Sequence, residues 1–242
     1  MQRRLLSWLT VGLMGSLVAG AAFADPPAAP AATPAPAAPP AAAPAKPLSG
    51  PSADEIADRV QAFYDRTKTF RAGFRQRYTV AAYNKVKDSS GSVVFEKPGK
   101  MSWRYTNNGN RVVSDGKLIR IYEKENKQMY EQPLEKSQYP AALSFLTGTG
   151  SIKQFKLTKL DPKQLGFEGG YVLLGEPREP NAAYQKVFLY VDAGTYQVRR
   201  VMLLDAQRNR NRFDFVNPEV NTKAAPGEFT FSPPPGTQVI RP

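Results

Sequence analysis

The 242-residue chain contains no cysteine and no histidine. The absence of cysteine excludes disulfides, thiolate metal ligands and cysteine nucleophiles, and also a lipid-modified cysteine after a signal sequence. The absence of histidine removes the commonest general base and metal ligand at neutral pH. Acidic residues are scattered without a catalytic or metal-binding spacing, and Asp115 is explained by a turn. We therefore predict a binding protein, which is not an enzyme and holds neither a metal nor another cofactor.

The first 24 residues have the features of a secretory signal peptide. Two arginines precede an apolar run over residues 5–19, and Ala22-Phe23-Ala24 offers a cleavage site near Ala24. We predict a signal peptide over residues 1–24 and export by the general secretory route. The alternative is an uncleaved membrane anchor, for which the apolar run is short.

Residues 25–51 consist almost entirely of alanine and proline. Frequent proline blocks helix and sheet, and the segment has no apolar bulk to bury, so we predict a disordered, extended linker. A single domain then covers residues 52–242.

Basic residues outnumber acidic ones, with 33 Lys and Arg against 21 Asp and Glu. We interpret this excess as an ordinary basic surface that is exposed to solvent. Attraction to anionic membrane surfaces or to acidic partners is the alternative.

The stretch from Gly91 to Tyr122 alternates apolar and polar residues in runs of about six, and each run ends at glycine or proline. This pattern predicts several antiparallel strands. One face of the sheet is apolar, because alternate residues such as Met101, Trp103 and Tyr105 point to the same side. The Asp115-Gly116 pair predicts a hairpin with a type I′ turn.

About eleven short strands joined by tight turns predict a mainly β fold, and they are more than one flat sheet holds comfortably. The later strands are predicted at 153–160, 171–174, 185–191, 197–204, 211–216 and 228–231. The sheet should curl, and if it stays open its concave apolar face needs a lid.

Two helices are available for that lid. The first begins at Ser52 with a capping box to Glu55, and its apolar stripe is Ile56, Val60, Phe63 and Thr67. The second runs from Pro140 to Gly148, with proline at its first position and glycine at its C-cap.

A hollow interior in such a protein would accept an apolar ligand. Each methylene removed from water contributes about 0.8 kcal/mol, so a few acyl chains supply ample affinity. The alternative is that the same side chains pack a solid core.

Five segments follow one another in a characteristic order: Thr69–Gln76, Phe95–Trp103, Val113–Lys117, the Pro140–Gly148 helix and Phe229–Gly236. In this order and spacing they resemble the LolA family of periplasmic lipoprotein carriers of Gram-negative bacteria. The resemblance covers residues 53–242. It implies an unclosed antiparallel β-barrel with a helical lid over an apolar cavity for lipoprotein acyl chains.

The resemblance also implies partners. The cargo would be acylated lipoproteins, collected from a LolCDE-like inner-membrane ABC exporter and passed to a LolB-like outer-membrane acceptor. The carrier would be a periplasmic monomer that spends no nucleotide and binds no nucleic acid.

The resemblance finally implies site residues. Met101 falls at the cavity mouth, and further candidate cavity residues are Phe95, Trp103, Tyr105, Leu143 and Leu146. Lys97 falls where the best-known members have an arginine that hydrogen-bonds the lid. Lysine lacks the planar fork of arginine, so the latch is expected to be weaker or connected differently.

Two other functions stay open. RseB-like stress-sensing regulators resemble this family in their larger domain but carry an additional C-terminal domain, whereas this sequence ends at Pro242. A carrier of another periplasmic lipid, such as a glycolipid or polyketide, would use the same fold.

Overall fold

The computed structural model describes residues 48–137 and 143–241. The predicted signal peptide, nearly all of the predicted linker and the first residues of the predicted Pro140–Gly148 helix lie outside the described residues. Within the described part, no helix is both long enough and apolar enough to span a membrane.

Helix α1 spans Ala53–Asp65 and starts with the predicted capping box. The Glu55 amide donates to the Ser52 hydroxyl at 3.2 Å, and the Ser52 amide donates to the Glu55 carboxylate at 2.7 Å. The buried residues of this helix are Ile56, Ala57, Val60 and Tyr64. The predicted stripe is confirmed at Ile56 and Val60, whereas Phe63 is only half-buried and Tyr64 is buried instead.

Helix α2 is short, Ser144–Thr147, and ends at Gly148, whose φ of +71° is the left-handed conformation of a glycine C-cap. Phe145, Leu146 and Thr147 are buried. The predicted C-terminal end of the second helix is therefore confirmed. We call α1 and α2 together the lid.

In the described part of the chain, twelve strands, rather than about eleven, form one sheet. In chain order they are β1 (Thr69–Val80), β2 (Lys85–Glu96), β3 (Lys100–Tyr105), β4 (Arg111–Asp115), β5 (Leu118–Glu123), β6 (Gln128–Pro133), β7 (Phe155–Leu160), β8 (Gly170–Pro177), β9 (Lys186–Asp192), β10 (Val198–Leu204), β11 (Arg210–Val220) and β12 (Gln238–Ile240).

Two antiparallel meanders make up this sheet. Strands β1 to β6 pair in sequence as one meander, and β7 to β11 pair as the other. The antiparallel pairing of β1 with β11 joins them, with Phe74 opposite Phe215. The last strand, β12, pairs in parallel with β6. Because β7 and β12 are the two edges among the described strands, the sheet is open, as predicted.

The strand register gives the sheet one strongly apolar face. Phe70 lies opposite Phe95 in the β1–β2 pair, and Phe95 lies opposite Met101 in the β2–β3 pair, so the three side chains share a face. The buried side chains of α1 and α2 belong to the same hydrophobic core as these residues. The lid therefore covers this side of the sheet, which we call the lid face.

The C-terminal segment covers part of the opposite face, which we call the outer face. Glu228 forms an ion pair with Arg104 at 3.0 Å. The Phe231 ring contacts Tyr122 at 5.3 Å between centroids and lies 5.2 Å from the Arg111 guanidinium. Residues 228–231 form no strand, so the strand predicted there is wrong.

The predicted β4–β5 hairpin is present, but its turn differs from the prediction. Asp115 is the last residue of β4, and Gly116 and Lys117 occupy the two turn positions. Positive φ at Gly116, +97°, follows directly after the strand. This placement indicates a type II′ turn rather than type I′.

The buried hydroxyl of Tyr64 fixes α1 to the sheet by accepting a hydrogen bond from the Val198 amide at 3.1 Å. We expect Tyr64→Phe to lower the free energy of unfolding by about 1–3 kcal/mol, because the buried amide loses its partner. Urea unfolding followed by circular dichroism measures this. Tyr83→Phe is the control, since Tyr83 is exposed, and it should change the free energy by less than about 0.5 kcal/mol. Equal effects of the two variants would contradict this role of Tyr64.

Stability should also fall at alkaline pH because of Tyr64. Burial raises the pKa of its phenol far above the ordinary value of 10.0, although the Val198 amide acts in the opposite direction. The folded protein thus keeps this proton where the unfolded chain loses it, so the stabilisation is complete below pH 10 and declines above it. We expect the urea midpoint to fall more steeply from about pH 9.5 to 11 in the wild type than in Tyr64→Phe. Parallel declines would show that Tyr64 does not contribute.

Candidate functional site

Four aromatic residues form a cluster at the centre of the lid face. The Trp103 ring contacts Phe74 at 5.0 Å, Phe213 at 5.3 Å and Phe95 at 5.7 Å between centroids. Each of the four is at most 3% exposed. Met101, the cross-strand neighbour of Phe95, is completely buried. Strands from both meanders therefore contribute to one aromatic cluster.

The structure brings the six predicted cavity residues into or against one hydrophobic core. Phe95, Met101 and Trp103 lie on the lid face, and Tyr105 is half-buried with its ring 5.0 Å from Phe74. Leu143 precedes α2 and Leu146 lies within it, and both are buried. Sheet and lid thus contribute to one apolar interior.

These side chains are packed on one another and covered by the lid in this conformation. Met101 and Trp103 have no exposed surface, and Leu146 is 1% exposed. An empty hollow at these positions therefore stays a prediction, and room for acyl chains would require the lid to move. The buried indole N–H of Trp103 makes no hydrogen bond to the described residues, so a polar group of an occupant could accept from it.

The lid helix α1 is held firmly to the second meander. The Arg59 guanidinium donates to the Tyr196 hydroxyl at 2.7 Å, and its charge lies 5.1 Å from the same ring. The side-chain oxygen of Gln61, Oε1, accepts a hydrogen bond from the Ile152 backbone amide at 2.9 Å. The Tyr64 hydroxyl adds the bond to β10 described above. Contacts of Arg59, Gln61 and Tyr64 thus attach the second half of α1 to residues 151–198.

The turn between β2 and β3, Lys97 to Gly99, holds the lid on the other side, and we call it the latch turn. The Lys97 ammonium donates to the Tyr64 carbonyl at 2.5 Å, at the end of α1. The Gly99 amide donates to the Thr147 carbonyl at 3.0 Å, at the end of α2. The Lys97 stem also lies against Gly148, where an added Cβ would come within 2.8 Å of Lys97 Cδ. One short turn therefore contacts the C-terminal ends of both lid helices.

The environment of Lys97 perturbs its charge. Partial burial lowers the pKa of its ammonium, and the carboxylate of Asp65 acts in the opposite direction. A less solvated ammonium donates a stronger hydrogen bond to a carbonyl. Lysine nevertheless offers a single point donor where arginine offers a planar fork.

The Asp115 carboxylate accepts hydrogen bonds within its own turn, as expected from its position there. Burial acts to raise the pKa of its carboxyl, but hydrogen bonds from the Leu118 and Lys117 amides and from Arg120 lower it overall. Within the described residues, no group of three or more acidic side chains is placed to hold a metal ion.

A concavity lies on the outer face, beneath the C-terminal segment. Its volume is about 470 Å³, and Arg120, Met129, Glu131 and Phe231 are among its lining residues. Glu131 accepts hydrogen bonds from Arg120 at 2.7 Å and from Arg241 at 2.9 Å, so its charge is already paired.

Sequence reasoning missed several residues that hold the lid and the cluster. Tyr64 follows Ile56 and Val60 at intervals of four, which is a signal that could have identified it. The Arg59–Tyr196 contact joins residues 137 positions apart and leaves no local signal. Phe213 enters the cluster through the β1–β11 pairing, which is also invisible in local sequence.

Comparison with known proteins identifies the family. A family model described as outer membrane lipoprotein carrier protein LolA matches residues 65–232, more than half of the chain. An outer-membrane lipoprotein carrier protein of Bordetella avium is 29% identical over 192 residues, covering 78% of this chain and 88% of that protein. Its counterpart in Cupriavidus necator is 28% identical over 195 residues, covering 79% and 90%.

A solved structure of a LolA superfamily protein from Nitrosomonas europaea covers 75% of this chain and 99% of its own, at 11% identity and a TM-score of 0.42. A superposition this loose adds nothing to the assignment, which depends on the sequence matches. By those matches, the chain belongs to the LolA family of outer membrane lipoprotein carrier proteins.

Proposed function

We propose that this protein is a periplasmic carrier that binds the acyl chains of lipoproteins under its lid and delivers them to the outer membrane. One observation supports this most directly. The apolar face of an open sheet is covered by two short helices, and one side of that cover depends on the latch turn. The names of the relatives give the cargo class.

The proposed movement follows from the unequal attachment of the lid. Side-chain contacts of Arg59, Gln61 and Tyr64 hold α1 to the second meander. On the first meander the latch turn contacts the lid through Lys97 and Gly99. Opening therefore begins at the latch turn, and α1 stays with residues 151–198. Acyl chains then enter between the lid and the aromatic cluster.

The rest of the chain and its partners complete the proposal. Residues 1–24 serve as the export signal, residues 25–51 as a linker, and residues 52–242 as the carrier domain. Cargo comes from an inner-membrane ABC exporter and passes to an outer-membrane acceptor that is itself a lipoprotein. The carrier binds and releases its cargo without catalysing a reaction.

The latch can be tested by replacing Lys97. We expect Lys97→Leu to raise amide exchange in α2 and at the end of α1 by about tenfold or more, because a hydrogen bond from a charged donor contributes about 1.5–3 kcal/mol. Lipoprotein transfer to acceptor vesicles should change more than loading. Hydrogen exchange with mass spectrometry and a transfer assay measure the two effects.

Two matched variants control the Lys97 experiment. Lys97→Arg keeps a cationic donor and should restore most of the protection. Lys68→Leu removes a charge from a neighbouring exposed position and should leave lid exchange unchanged. If Lys97→Leu behaves like Lys68→Leu, then Lys97 is an ordinary residue at the end of a strand.

Acyl binding can be tested by fluorescence, because only Trp8 and Trp103 are present in the chain. In a Trp8→Phe background, a lipopeptide with brominated acyl chains should quench Trp103, and the same peptide without acyl chains should not. Met101→Glu should weaken binding at least tenfold, since about 2 kcal/mol or more is lost when a carboxylate meets an apolar interior. Quenching titrations give both results.

Met202→Glu is the control, because it makes the same change on the outer face of β10 and should leave quenching unaffected. Lipopeptide that binds without quenching Trp103 would place the acyl chains elsewhere. Equal quenching by a brominated glycolipid would contradict selectivity for lipoproteins. Absence of any binding would reject the carrier function.

A further inference from the structure

The β1–β2 hairpin extends beyond the neighbouring strand β3 at its turn. Pairing of β1 with β11 ends at Thr79, and β3 pairs with β2 only from Gly91. All eight residues from Ala81 to Asp88 are exposed. We call these eight residues the hairpin tip.

Two apolar side chains are exposed close together on this tip. Tyr83 is 82% exposed and Val86 is 48% exposed. In the described part of the chain, Leu48 is the other large hydrophobic residue with comparable exposure. Single exposed apolar residues are ordinary, but two within four positions at the end of a projecting hairpin indicate a contact surface.

Positive charge surrounds these two residues. The cations are Lys85 and Lys87 on the tip, Arg208 on the neighbouring β10–β11 turn and Arg210 at the start of β11, and all four are exposed. The two turns are tied together, because the Ala81 amide donates to the Asn209 side-chain oxygen at 3.0 Å. The tip and its neighbour therefore present cations on one end of the sheet.

The nearby carboxylates are already engaged. Asp88 accepts two hydrogen bonds from Arg77, at 2.8 and 3.0 Å. Asp205 accepts the amides of Gln207 and Asn209 within its own turn, at 2.9 and 2.8 Å. Neither carboxylate pairs with the four cations, and Arg77 neutralises Asp88. The four cations therefore outweigh the one remaining negative charge, that of Asp205.

The edge of β2 is poorly suited to a partner strand. The Ser90 carbonyl accepts the Thr106 amide at 2.9 Å, and the Asp88 carbonyl accepts the Asn107 side chain at 3.3 Å. The rest of the edge carries two lysines, which disfavour pairing with another strand. An extended peptide is therefore a less suitable partner than a broad anionic surface.

We propose that the hairpin tip is a contact site for anionic lipid membranes. Tyr83 and Val86 enter the headgroup layer, where an aromatic ring with a polar hydroxyl is favoured. Lys85, Lys87 and the two arginines meet the lipid phosphates. The latch turn lies at the other end of β2, roughly 36 Å away at about 3.3 Å per residue. Membrane contact therefore leaves the lid free to move, a property that goes beyond the proposed carrier function.

Vesicle co-sedimentation tests this site with protein purified from the periplasm. The vesicles are phosphatidylcholine alone, or an equal mixture with phosphatidylglycerol. We expect at least tenfold stronger partition into the anionic vesicles, decreasing as salt screens the charges. Lys85→Gln with Lys87→Gln should weaken it by about fivefold for each lysine. Tyr83→Ser with Val86→Ser should weaken it several-fold at unchanged charge.

The control replaces two exposed lysines elsewhere, Lys156→Gln with Lys163→Gln, and should retain binding. In Tyr83→Trp, the emission should shift to the blue with anionic vesicles. Equal losses in control and tip variants would show a general charge effect and overturn the site. Absence of vesicle binding would overturn it as well and favour an acidic protein partner. Neither result affects the acyl-binding assay with Trp103.

Discussion

The pairing of β1 with β11 is the contact on which the rest of the architecture depends. Without it the chain would hold two separate meanders, each with an apolar face too small to enclose anything. With it, Phe74 from the first meander and Phe213 from the second contact the same Trp103 ring. The two lid helices have only 13 and 4 residues, so they make few contacts with a sheet as large as this one. The cover over the interior is thin as a direct consequence.

Retaining an acyl chain and holding the lid closed differ greatly in free energy. Burying a sixteen-carbon acyl chain yields more than about 10 kcal/mol at about 0.8 kcal/mol per methylene. Each latch hydrogen bond contributes about 1 kcal/mol, or somewhat more where the ammonium donates. The latch therefore cannot retain the proposed cargo, which the apolar interior retains by itself. Its effect is to bias the empty protein toward the closed state, in which the apolar face is hidden from water.

Local sequence predicts the elements that local physics determines. The capping box at Ser52, the glycine C-cap of α2 and the β4–β5 hairpin each depend on a few adjacent residues, and each is present. The parallel pairing of β12 with β6 and the β1–β11 pairing depend on distant residues and leave no local pattern. Residues 228–231 alternate like a strand, but Phe229 and Phe231 contact the cations of Lys100 and Arg111 instead of forming a ladder. The three prolines that follow also lack the amides that a ladder needs.

In this conformation the side chains at the predicted cavity positions are packed on one another, and this packing bears on how a carrier works. A dry cavity lined by aromatic rings would lose dispersion contacts on every wall, so an empty carrier gains by closing its side chains onto one another. Trp103 and Phe95 do this through edge-to-face contacts, and Met101 is flexible enough to fill the remaining space. Cargo then exchanges one set of apolar contacts for another, while the lid moves outward to supply volume. The net affinity is the difference between the two packings, which is smaller than transfer from water alone would give. A packed empty state therefore makes release of the cargo easier.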